Sequence, residues 1–446
     1  MCSFVFTNQL IKNEDELNKF IKLRGPDYTN KLTRNGFTFI HNLLSITGFF
    51  TIQPFISDDI ILVYNGEIYN YKSFGDYEND GECLIPLYKE FGENFVSKLD
   101  GEFAIGLIDF KKKIIMLATD VFATKPLWVN NSKGFSASIY ESPLKSLGLL
   151  NNRKVQANRI IVYSLDDFSV QSEKEWFHFD LKQFKNNFDD WNNAFENSIA
   201  KRAKTNVREK IFIGLSSGYD SGSICCELLR QGIKFKSYTV IGTHENREIL
   251  NDRHNRMRNV GLSPSISPYT HNSELRNIAH IYIMENVERF YYKTYSSSSN
   301  YNEFNLSIYD DNGANGLSHV TSLAKKDGYK IYLSGQGADE IFADYGFGGN
   351  KMYLHSNFGG LFPDDLSLIF PWASFYGSSQ ISYLMKEEAI AGSYGIESRY
   401  PFLDSQVVQE FLWIKSELKN KWYKSVLHNY LTVNNFPFDV GRKIGF

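Results

Sequence analysis

Short apolar runs, each bounded by turn-forming residues, dominate the first part of the chain. Four of them lie at 37–41, 60–64, 103–108 and 114–118, and a helical pattern covers Leu84–Phe91. Apolar runs of this length, bounded by turn residues, favour β-strands. The chain up to about residue 175 is therefore predicted to be rich in β-structure.

The second part of the chain shows a different pattern, in which helix-like segments alternate with short strands. A helix-like segment begins at Trp191, and strands are predicted at 211–215, 237–242 and 329–333. This alternation is typical of a parallel sheet covered by helices. The segment Tyr291–Ser299, which ends in four consecutive serines, is predicted to be a mobile loop.

A stretch rich in Lys, Asn and Asp at 180–190 separates the two patterns and is the best candidate for a linker. With 446 residues, the chain is long enough for at least two cores of ordinary size. We therefore predict one domain at residues 1–180 and a second at residues 190–446. The combined fold class is α/β and α+β.

Composition excludes several classes of protein. The net charge of −3 gives no global basic field for binding nucleic acid. The chain has no run of about 18 apolar residues, so no membrane span is predicted, and Met1–Phe6 lacks the pattern of a signal peptide. The 4 cysteines have neither the spacing of a disulfide framework nor that of a zinc site, which favours a reducing cytoplasmic location.

Cys2 is a candidate nucleophile because of its position in the chain. If the initiator methionine is removed, Cys2 becomes the first residue and carries both a thiol and a free α-amine. The thiolate is the reactive form of cysteine. The α-amine, with a reference pKa of about 8, can take the thiol proton directly or through a water. The alternative is that Cys2 is an ordinary buried cysteine.

A candidate anion site follows the predicted strand Ile211–Leu215. The strand leads into the small-residue loop Ser216–Gly222 and then into the helix-like Ser223–Arg230. Backbone N–H groups at a helix N-terminus bind anions, and a glycine such as Gly218 allows close approach of a phosphate. The loop lacks the GxxxxGK pattern, which disfavours an NTPase that cleaves the β–γ bond. The alternative is an ordinary turn with capping serines.

A second strand end carries acidic residues. Ile331–Leu333 leads into Ser334–Glu340, in which Asp339 and Glu340 follow two glycines. Ligands of open α/β sheets bind outside the carboxyl ends of the strands. One or two carboxylates together with phosphate oxygens are the usual ligands of Mg²⁺. The two strand ends therefore suit a nucleotide with Mg²⁺, although an acidic helix N-terminus is the simpler alternative for Asp339 and Glu340.

In this order, the segments resemble the glutamine-hydrolysing asparagine synthetase family, and the resemblance runs from Cys2 to Phe446. Further matching segments are Arg24–Asp27, Leu44–Ile46, Gln53–Pro54, Asn65–Asn70, Asp80–Glu82, Leu99–Ala104, Lys125–Leu127, Glu397–Asp404, Lys424 and Lys443–Phe446. The resemblance implies an N-terminal nucleophile glutaminase domain, an αββα sandwich. It also implies a C-terminal synthetase domain with a parallel sheet, like that of the adenine-nucleotide α-hydrolases.

For the first domain, the resemblance assigns roles around Cys2. Cys2 would attack the amide of glutamine and release ammonia. Asn65 and Gly66 match the oxyanion hole, whose N–H donors stabilise the negative charge that develops on the tetrahedral oxygen. Glu67 and Asp100 match positions that contact the bound glutamine, Asp100 through the α-ammonium.

For the second domain, the resemblance implies that ATP activates an acceptor carboxylate as an acyl-adenylate and releases pyrophosphate. Ammonia would reach this intermediate inside the protein. The matched positions are Ser216, Gly218, Asp220 and Ser221 in the pyrophosphate loop; Leu215, Ser334 and Gly335 near the adenosine and α-phosphate; Asp220, Asp339 and Glu340 for Mg²⁺; and Lys424 as a phosphate-contacting catalytic lysine. Arg399 and Asp404 are predicted to be structural, and Lys443 to be either.

Several positions depart from the family pattern. Leu43 stands where an arginine would pair with the α-carboxylate of glutamine, and such a charged pair contributes about 1.5–3 kcal/mol. Ser3, Thr119 and Ala123 also replace the usual residues. Residues 310–316 lack the arginine that would hold aspartate, and Gln336 stands where an acidic residue is common. We therefore expect an acceptor other than aspartate, such as a sugar acid, a peptide or a specialised metabolite.

Three alternatives remain open at this point. They are an adenylating cyclase or ligase related to β-lactam or lasso-peptide synthetases, a true asparagine synthetase, and a nucleotide-binding protein without activity. The presence of Cys2, Asn65, Gly66 and Asp100 favours an amidotransferase. The expected partners are glutamine, ATP and an unknown carboxylate, without nucleic acid or membrane, and a homodimer is compatible with the sequence.

Overall fold

The structure is a computed structural model that describes residues 2–204, 209–241, 245–267, 273–295, 303–342, 346–347, 350–351 and 356–440. Its strands are β1 Ser3–Thr7, β2 Tyr28–Arg34, β3 Phe37–Leu43, β4 Phe55–Ser57, β5 Ile60–Ile68, β6 Gly101–Asp109, β7 Ile114–Thr119, β8 Trp128–Asn130, β9 Ser136–Ser138, β10 Arg153–Lys154, β11 Arg159–Ser164, β12 Val170–Glu175, β13 Ile211–Gly214, β14 Phe235–Val240, β15 Ser265–Ser267, β16 Tyr291–Tyr295, β17 Glu303–Ser307, β18 Ile331–Leu333, β19 Gly346–Phe347, β20 Asn350–Lys351 and β21 Glu397–Arg399. Its α-helices are α1 Glu14–Asn18, α2 Leu84–Phe91, α3 Ser142–Ser146, α4 Asp189–Lys204, α5 Tyr219–Arg230, α6 Arg247–Asn259, α7 Ser273–Asn286, α8 Asn312–Lys326, α9 Ala338–Phe342, α10 Ala373–Tyr376, α11 Ser378–Ser393, α12 Ser405–Trp413, α13 Ser416–Lys419 and α14 Ser425–Val433.

Strands β1–β12 form two antiparallel sheets, which we call the N-terminal half (residues 2–175). The first has the order β10-β8-β9-β1-β3-β2 and the second β12-β11-β7-β6-β5-β4. Strand β5 shows why they stack: Ile61 and Val63 pack into the core that includes the first sheet, whereas Leu62 and Tyr64 pack with residues of α2. Alternate side chains of a strand point to opposite faces, so β5 is buried on both.

The C-terminal half (residues 189–440) contains a parallel sheet of order β15-β14-β13-β18-β21. Because β13 pairs with β18, the segments that follow Gly214 and Leu333 leave the sheet side by side. The two halves together confirm the predicted fold class. The predicted loop at 291–299 is wrong in its first part, because β16 pairs with β17 in an antiparallel hairpin; residues 296–302 lie outside the described residues.

The predicted linker packs against the C-terminal half. The backbone N–H groups of Phe184 and Lys185 donate to the carbonyl of Trp413. The backbone of Lys185 also pairs with that of Ile414 in an isolated parallel β-bridge. The domain boundaries stay a prediction. Among the described residues, no helix is long and apolar enough to cross a membrane, and the cytoplasmic location also stays a prediction.

Glu388 on α11 joins the two halves through a buried polar cluster. One carboxylate oxygen lies 2.6 Å from Nη2 of Arg24, and the other accepts from Nζ of Lys125 and Oη of Tyr400, both at 2.9 Å. Arg24 and Tyr140 also donate to the Glu388 backbone carbonyl. The side chains of Arg24 and Glu388 are fully buried. The cluster therefore orients the halves as well as joining them.

Replacing Glu388 with glutamine should destabilise the protein by about 3–5 kcal/mol, because Arg24 would lose its buried counter-charge and Lys125 would keep only the more distant Glu102, at 3.5 Å. Chemical denaturation of the full chain measures the shift. Glu417→Gln, an exposed residue on α13, is the matched control. Equal stability of the Glu388→Gln protein and the control would contradict the role given to this cluster.

Candidate active sites

Cys2 lies at the start of β1 in a small polar pocket. The pocket is lined by the residues Cys2, Leu43, Leu44, Ser45, Ile46, Thr47, Thr51, Gln53, Tyr64, Gly66, Glu67, Asn79, Asp80 and Glu397. Its volume is about 20 Å³, which is close to the space that one water needs. Binding of an amino acid at Cys2 therefore requires the pocket walls to move apart.

The thiol of Cys2 is shielded from solvent, and its Sγ lies 3.9 Å from the Leu44 carbonyl. Burial raises its pKa to about 11, with the carboxylates of Glu397 and Asp80 adding to the rise and the positive N-terminus opposing it. The thiol is therefore protonated at neutral pH, and nucleophilic attack requires a base to remove its proton.

Asn65 and Gly66 lie next to this pocket on β5, and Gly66 lines it. Gly66 has φ +139°, and a Cβ there would lie 1.8 Å from the Glu102 carbonyl oxygen on β6, so only glycine fits. Both polar atoms of the Asn65 side chain are buried without a hydrogen-bond partner among the described residues. Unpaired buried polar groups are costly, and an unpaired donor beside a nucleophile suits an oxyanion hole.

Glu67 reaches the same pocket, but it is already paired with the C-terminal half. Its Oε1 lies 3.0 Å from Nη2 of Arg399, and Oγ1 of Thr47 donates to Oε2 at 2.7 Å. Nε of Arg399 in turn donates to Glu397 at 2.6 Å. Burial raises the pKa of Glu67, and Arg399 opposes that rise. Sequence patterns did not identify Glu397 as a residue of the Cys2 pocket, because it lies almost 400 residues from Cys2.

Asp100 does not line the Cys2 pocket. It precedes β6, and its Oδ2 lies 2.6 Å from Nζ of Lys201 on α4. Leu43, at the position where the family has an arginine, does line the pocket. Leu43 therefore offers the α-carboxylate of glutamine no charge, and Asp100, which was expected to contact the α-ammonium, is paired with a lysine instead.

The second site lies where the loop after β13 meets the start of α5. The hydroxyls of Ser216 and Ser221 are 2.9 Å apart, the Ser216 N–H donates to the Ser221 hydroxyl at 3.0 Å, and the Gly218 N–H donates to Ser216 Oγ at 3.2 Å. Nη1 of Arg253 donates to the Gly218 carbonyl at 2.9 Å. These contacts hold the loop at the N-terminus of a 12-residue helix. The free backbone N–H groups and the dipole at a helix N-terminus favour the binding of an anion.

Lys424 joins this loop to the acidic pair. Its Nζ lies 2.6 Å and 2.7 Å from the two carboxylate oxygens of Asp220 and 2.8 Å from Oδ1 of Asp339. Burial lowers the pKa of Lys424, but the two carboxylates outweigh burial and raise it, so the side chain stays charged. The structure therefore places Lys424, the predicted catalytic lysine, against Asp220 and Asp339, two of the carboxylates predicted to bind Mg²⁺.

A cavity of about 250 Å³ opens over these groups. The predicted residues that line it are Ser216, Asp220, Ser221, Gly335, Asp339 and Glu340; Leu215, Gly218, Ser334 and Lys424 do not line it but lie in or contact the same loops. The cavity is also lined by Tyr292, Thr294, Asp311 and Lys386. Lys443–Phe446 lie outside the described residues.

The acidic residues at the cavity fit Mg²⁺ in part. Hard carboxylate oxygens together with phosphate oxygens are its usual ligands, and Asp339 and Glu340 line the cavity. Both oxygens of Asp220, however, accept from Lys424. Within the described part of the chain, no group of three or more His, Cys, Asp or Glu side chains is placed to hold a metal ion. Lys424 also lies 2.8 Å from Oδ1 of Asp339, so the same lysine contacts both aspartates.

Comparisons with known proteins agree with these two sites. Residues 1–197 match the model of a glutamine amidotransferase domain, and residues 308–386 match that of asparagine synthase. These two matches, in this order, are consistent with a divergent relative of the glutamine-hydrolysing asparagine synthetases. A putative glutamine-hydrolyzing asparagine synthetase of Methanocaldococcus jannaschii is 27% identical over 425 residues, which cover 86% of this chain and 71% of that protein.

A probable glutamine-hydrolyzing asparagine synthetase of Schizosaccharomyces pombe is 26% identical over 439 residues, which cover 90% of this chain and 73% of that protein. Among solved structures, glutamine phosphoribosylpyrophosphate amidotransferase from B. subtilis matches with a TM-score of 0.32 and 12% identity, over 48% of this chain and 60% of that one.

Proposed function

We propose that this enzyme is an amidotransferase that transfers nitrogen between its two sites. Cys2 releases ammonia from glutamine, and the second site activates a carboxylate with ATP as an acyl-adenylate, releasing pyrophosphate. Ammonia then attacks the acyl carbon, the C–N bond forms, and AMP leaves. The acceptor that we propose is a carboxylate other than aspartate, for example a sugar acid or a peptide.

The observation that carries this proposal is that β21 contacts both sites. Glu397, at its start, lines the Cys2 pocket. Arg399, at its end, accepts a hydrogen bond from the Ser334 N–H at 3.0 Å through its carbonyl oxygen, at the strand end that leads to Asp339. The three-residue strand β21 thus lies between the pocket of Cys2 and the loop after β18 that we assign to nucleotide binding. This position supports one enzyme with two coupled sites.

At the first site, we assign the oxyanion hole to the Gly66 N–H and the Asn65 side chain. The tetrahedral oxygen formed by attack of Cys2 would carry negative charge, and preorganised donors at such a position contribute about 100-fold or more to the rate. The unpaired state of the Asn65 amide supports this role. Because burial raises the pKa of the Cys2 thiol, the thiol needs a base, and we assign that role to the free α-amine of Cys2.

At the second site, the nucleotide is ATP, and the Ser216–Ser221 loop would bind its phosphates. Lys424 keeps a positive charge beside that loop, where it would stabilise the negative charge of the leaving pyrophosphate. Mg²⁺, held by Asp339 and Glu340 with phosphate oxygens, would neutralise part of the same charge.

The other residues that line this cavity support an acceptor other than aspartate. Tyr292, Tyr383 and Leu306 line it, and Nζ of Lys386 lies 3.1 Å from Oδ2 of Asp311. Among the described residues that line the cavity, none is an arginine. A small dicarboxylate would have to compete with Asp311 for Lys386, whereas a larger acceptor can also contact the tyrosine rings. A true asparagine synthetase is the second candidate, since the relatives described above are named as putative and probable asparagine synthetases.

Replacing Cys2 with alanine should abolish ammonia release from glutamine and leave synthesis from added ammonium salts intact, because the change removes the nucleophile and leaves the second site untouched. Glutamate formation and pyrophosphate release are the two readouts. Cys83→Ala, another buried cysteine of the same half, is the matched control. Wild-type protein that releases no ammonia from glutamine, with its acceptor present, would contradict the proposed first site.

A panel of carboxylates should identify the acceptor through acceptor-dependent pyrophosphate release in the presence of ATP and Mg²⁺. The panel contains aspartate, glutamate, uronic acids and short peptides. We expect release with a member other than aspartate, and AMP as the nucleotide product. Strong stimulation by aspartate alone would favour the asparagine synthetase, and ADP with phosphate as products would contradict adenylation.

A further inference from the structure

Glu387 on α11 lines the cavity of the second site and has one buried oxygen that is unpaired. Its Oε2 has no hydrogen-bond partner among the described residues. Each of the other described carboxylates at the cavity contacts a donor: Asp220 and Asp339 lie against Lys424, Asp311 lies against Lys386, and Glu340 accepts from the Gly337 N–H. An unpaired buried acceptor is costly, so Oε2 of Glu387 is suited to a donor that arrives with the substrates.

Gln336 lines the same cavity with a second unpaired polar atom. Its Nε2 is buried without a hydrogen-bond partner in the described part of the chain, and its backbone N–H donates to Oγ of Ser334 at 3.0 Å. A side-chain amide donates and accepts hydrogen bonds but does not act as a base, whereas a carboxylate can do so. Of these two unpaired groups, Glu387 is therefore the one that can take up a proton.

The surroundings of Glu387 adjust its basicity. Burial raises its pKa to about 7, with the carboxylates of Glu388 and Glu340 adding to the rise and the Ser334 hydroxyl and Lys386 opposing it. The protonated and ionised forms are therefore both present near neutral pH, which is the range in which a general base is most effective.

Glu387 also lies close to the buried cluster at which the two halves meet. Burial and the charges of Glu388 and Glu387 raise the pKa of Tyr400, and the Tyr400 hydroxyl donates to Glu388, which also accepts from Lys125 of the N-terminal half. Burial and the charge of Glu387 raise the pKa of Tyr332 as well. Both phenols therefore stay protonated at neutral pH and do not compete with Glu387 as bases.

We propose that Glu387 is a catalytic residue of the second site, whose Oε2 takes a proton from the nitrogen that attacks the acyl-adenylate. This inference rests on the proposed function. As the lone pair of ammonia forms the C–N bond, the nitrogen becomes positively charged. One N–H proton then passes to Oε2, and the bond from the acyl carbon to AMP breaks with its electron pair on the AMP oxygen. Activation of the carboxylate by ATP transfers no proton, so that step does not need Glu387.

The test compares the two half-reactions in the full chain with Glu387→Gln, which removes the base and keeps the size of the side chain. The probes are ATP, Mg²⁺, ammonium chloride and each carboxylate of the panel in turn: aspartate, glutamate, uronic acids and short peptides. Exchange of labelled pyrophosphate into ATP, measured without ammonium, should stay within about twofold of the wild type, whereas amide formation should fall about 100-fold, as expected for loss of a general base. Glu417→Gln, at an exposed position on α13, should change neither rate.

The outcomes separate this inference from the proposed function. Amide formation by Glu387→Gln at the rate of the wild type would overturn the role of Glu387. An equal loss of pyrophosphate exchange and amide formation would also overturn it, because the side chain would then act by shaping the nucleotide site. A wild type that exchanges pyrophosphate with no member of the panel would instead overturn the proposed adenylation, and this inference with it.

Discussion

The buried carboxylate of Glu388 is the constraint on which the arrangement of the two sites depends. Arg24 and Lys125 of the N-terminal half both direct their charges at it, and burial makes each of these charges costly without the others. In the observed orientation of the halves, Arg24, Lys125 and Tyr400 all contact the Glu388 carboxylate. In that orientation α11 lies beside β21, and β21 lies between Cys2 and the loop after β18.

The strand β21 shows how one short segment can serve two chemistries. Its backbone completes the parallel sheet through pairing with β18, while Glu397 and Arg399 project their charges toward the Cys2 pocket and Glu67. Burial raises the pKa of Glu397, but the positive N-terminus, Arg399 and Lys125 lower it to about 2, so this carboxylate stays charged. The charge at the first site is thus set largely by residues of the second half.

Local sequence patterns predicted those helices, strands and loops whose formation depends on interactions between residues close together in the chain. The helix α2, strands such as β5 and β6, and the loop at Ser216–Ser221 follow from apolar periodicity and small residues, and the structure has them where expected. Side-chain partners were not predictable, because they come from distant parts of the chain. The pairing of Asp100 with Lys201, and that of Glu67 with Arg399, joins residues about 100 and 330 positions apart. Sequence motifs therefore identified candidate groups but not which of them are free to bind a substrate.

The central claim is that the two sites belong to one reaction path. The most direct test supplies glutamine labelled with ¹⁵N in its amide, a large excess of unlabelled ammonium, ATP, and the carboxylate that gives acceptor-dependent pyrophosphate release. If ammonia passes inside the protein from Cys2 to the acyl-adenylate, mass spectrometry of the product amide should show ¹⁵N well above its proportion in the solution. A product whose nitrogen has the isotope ratio of the solution would contradict transfer between the sites.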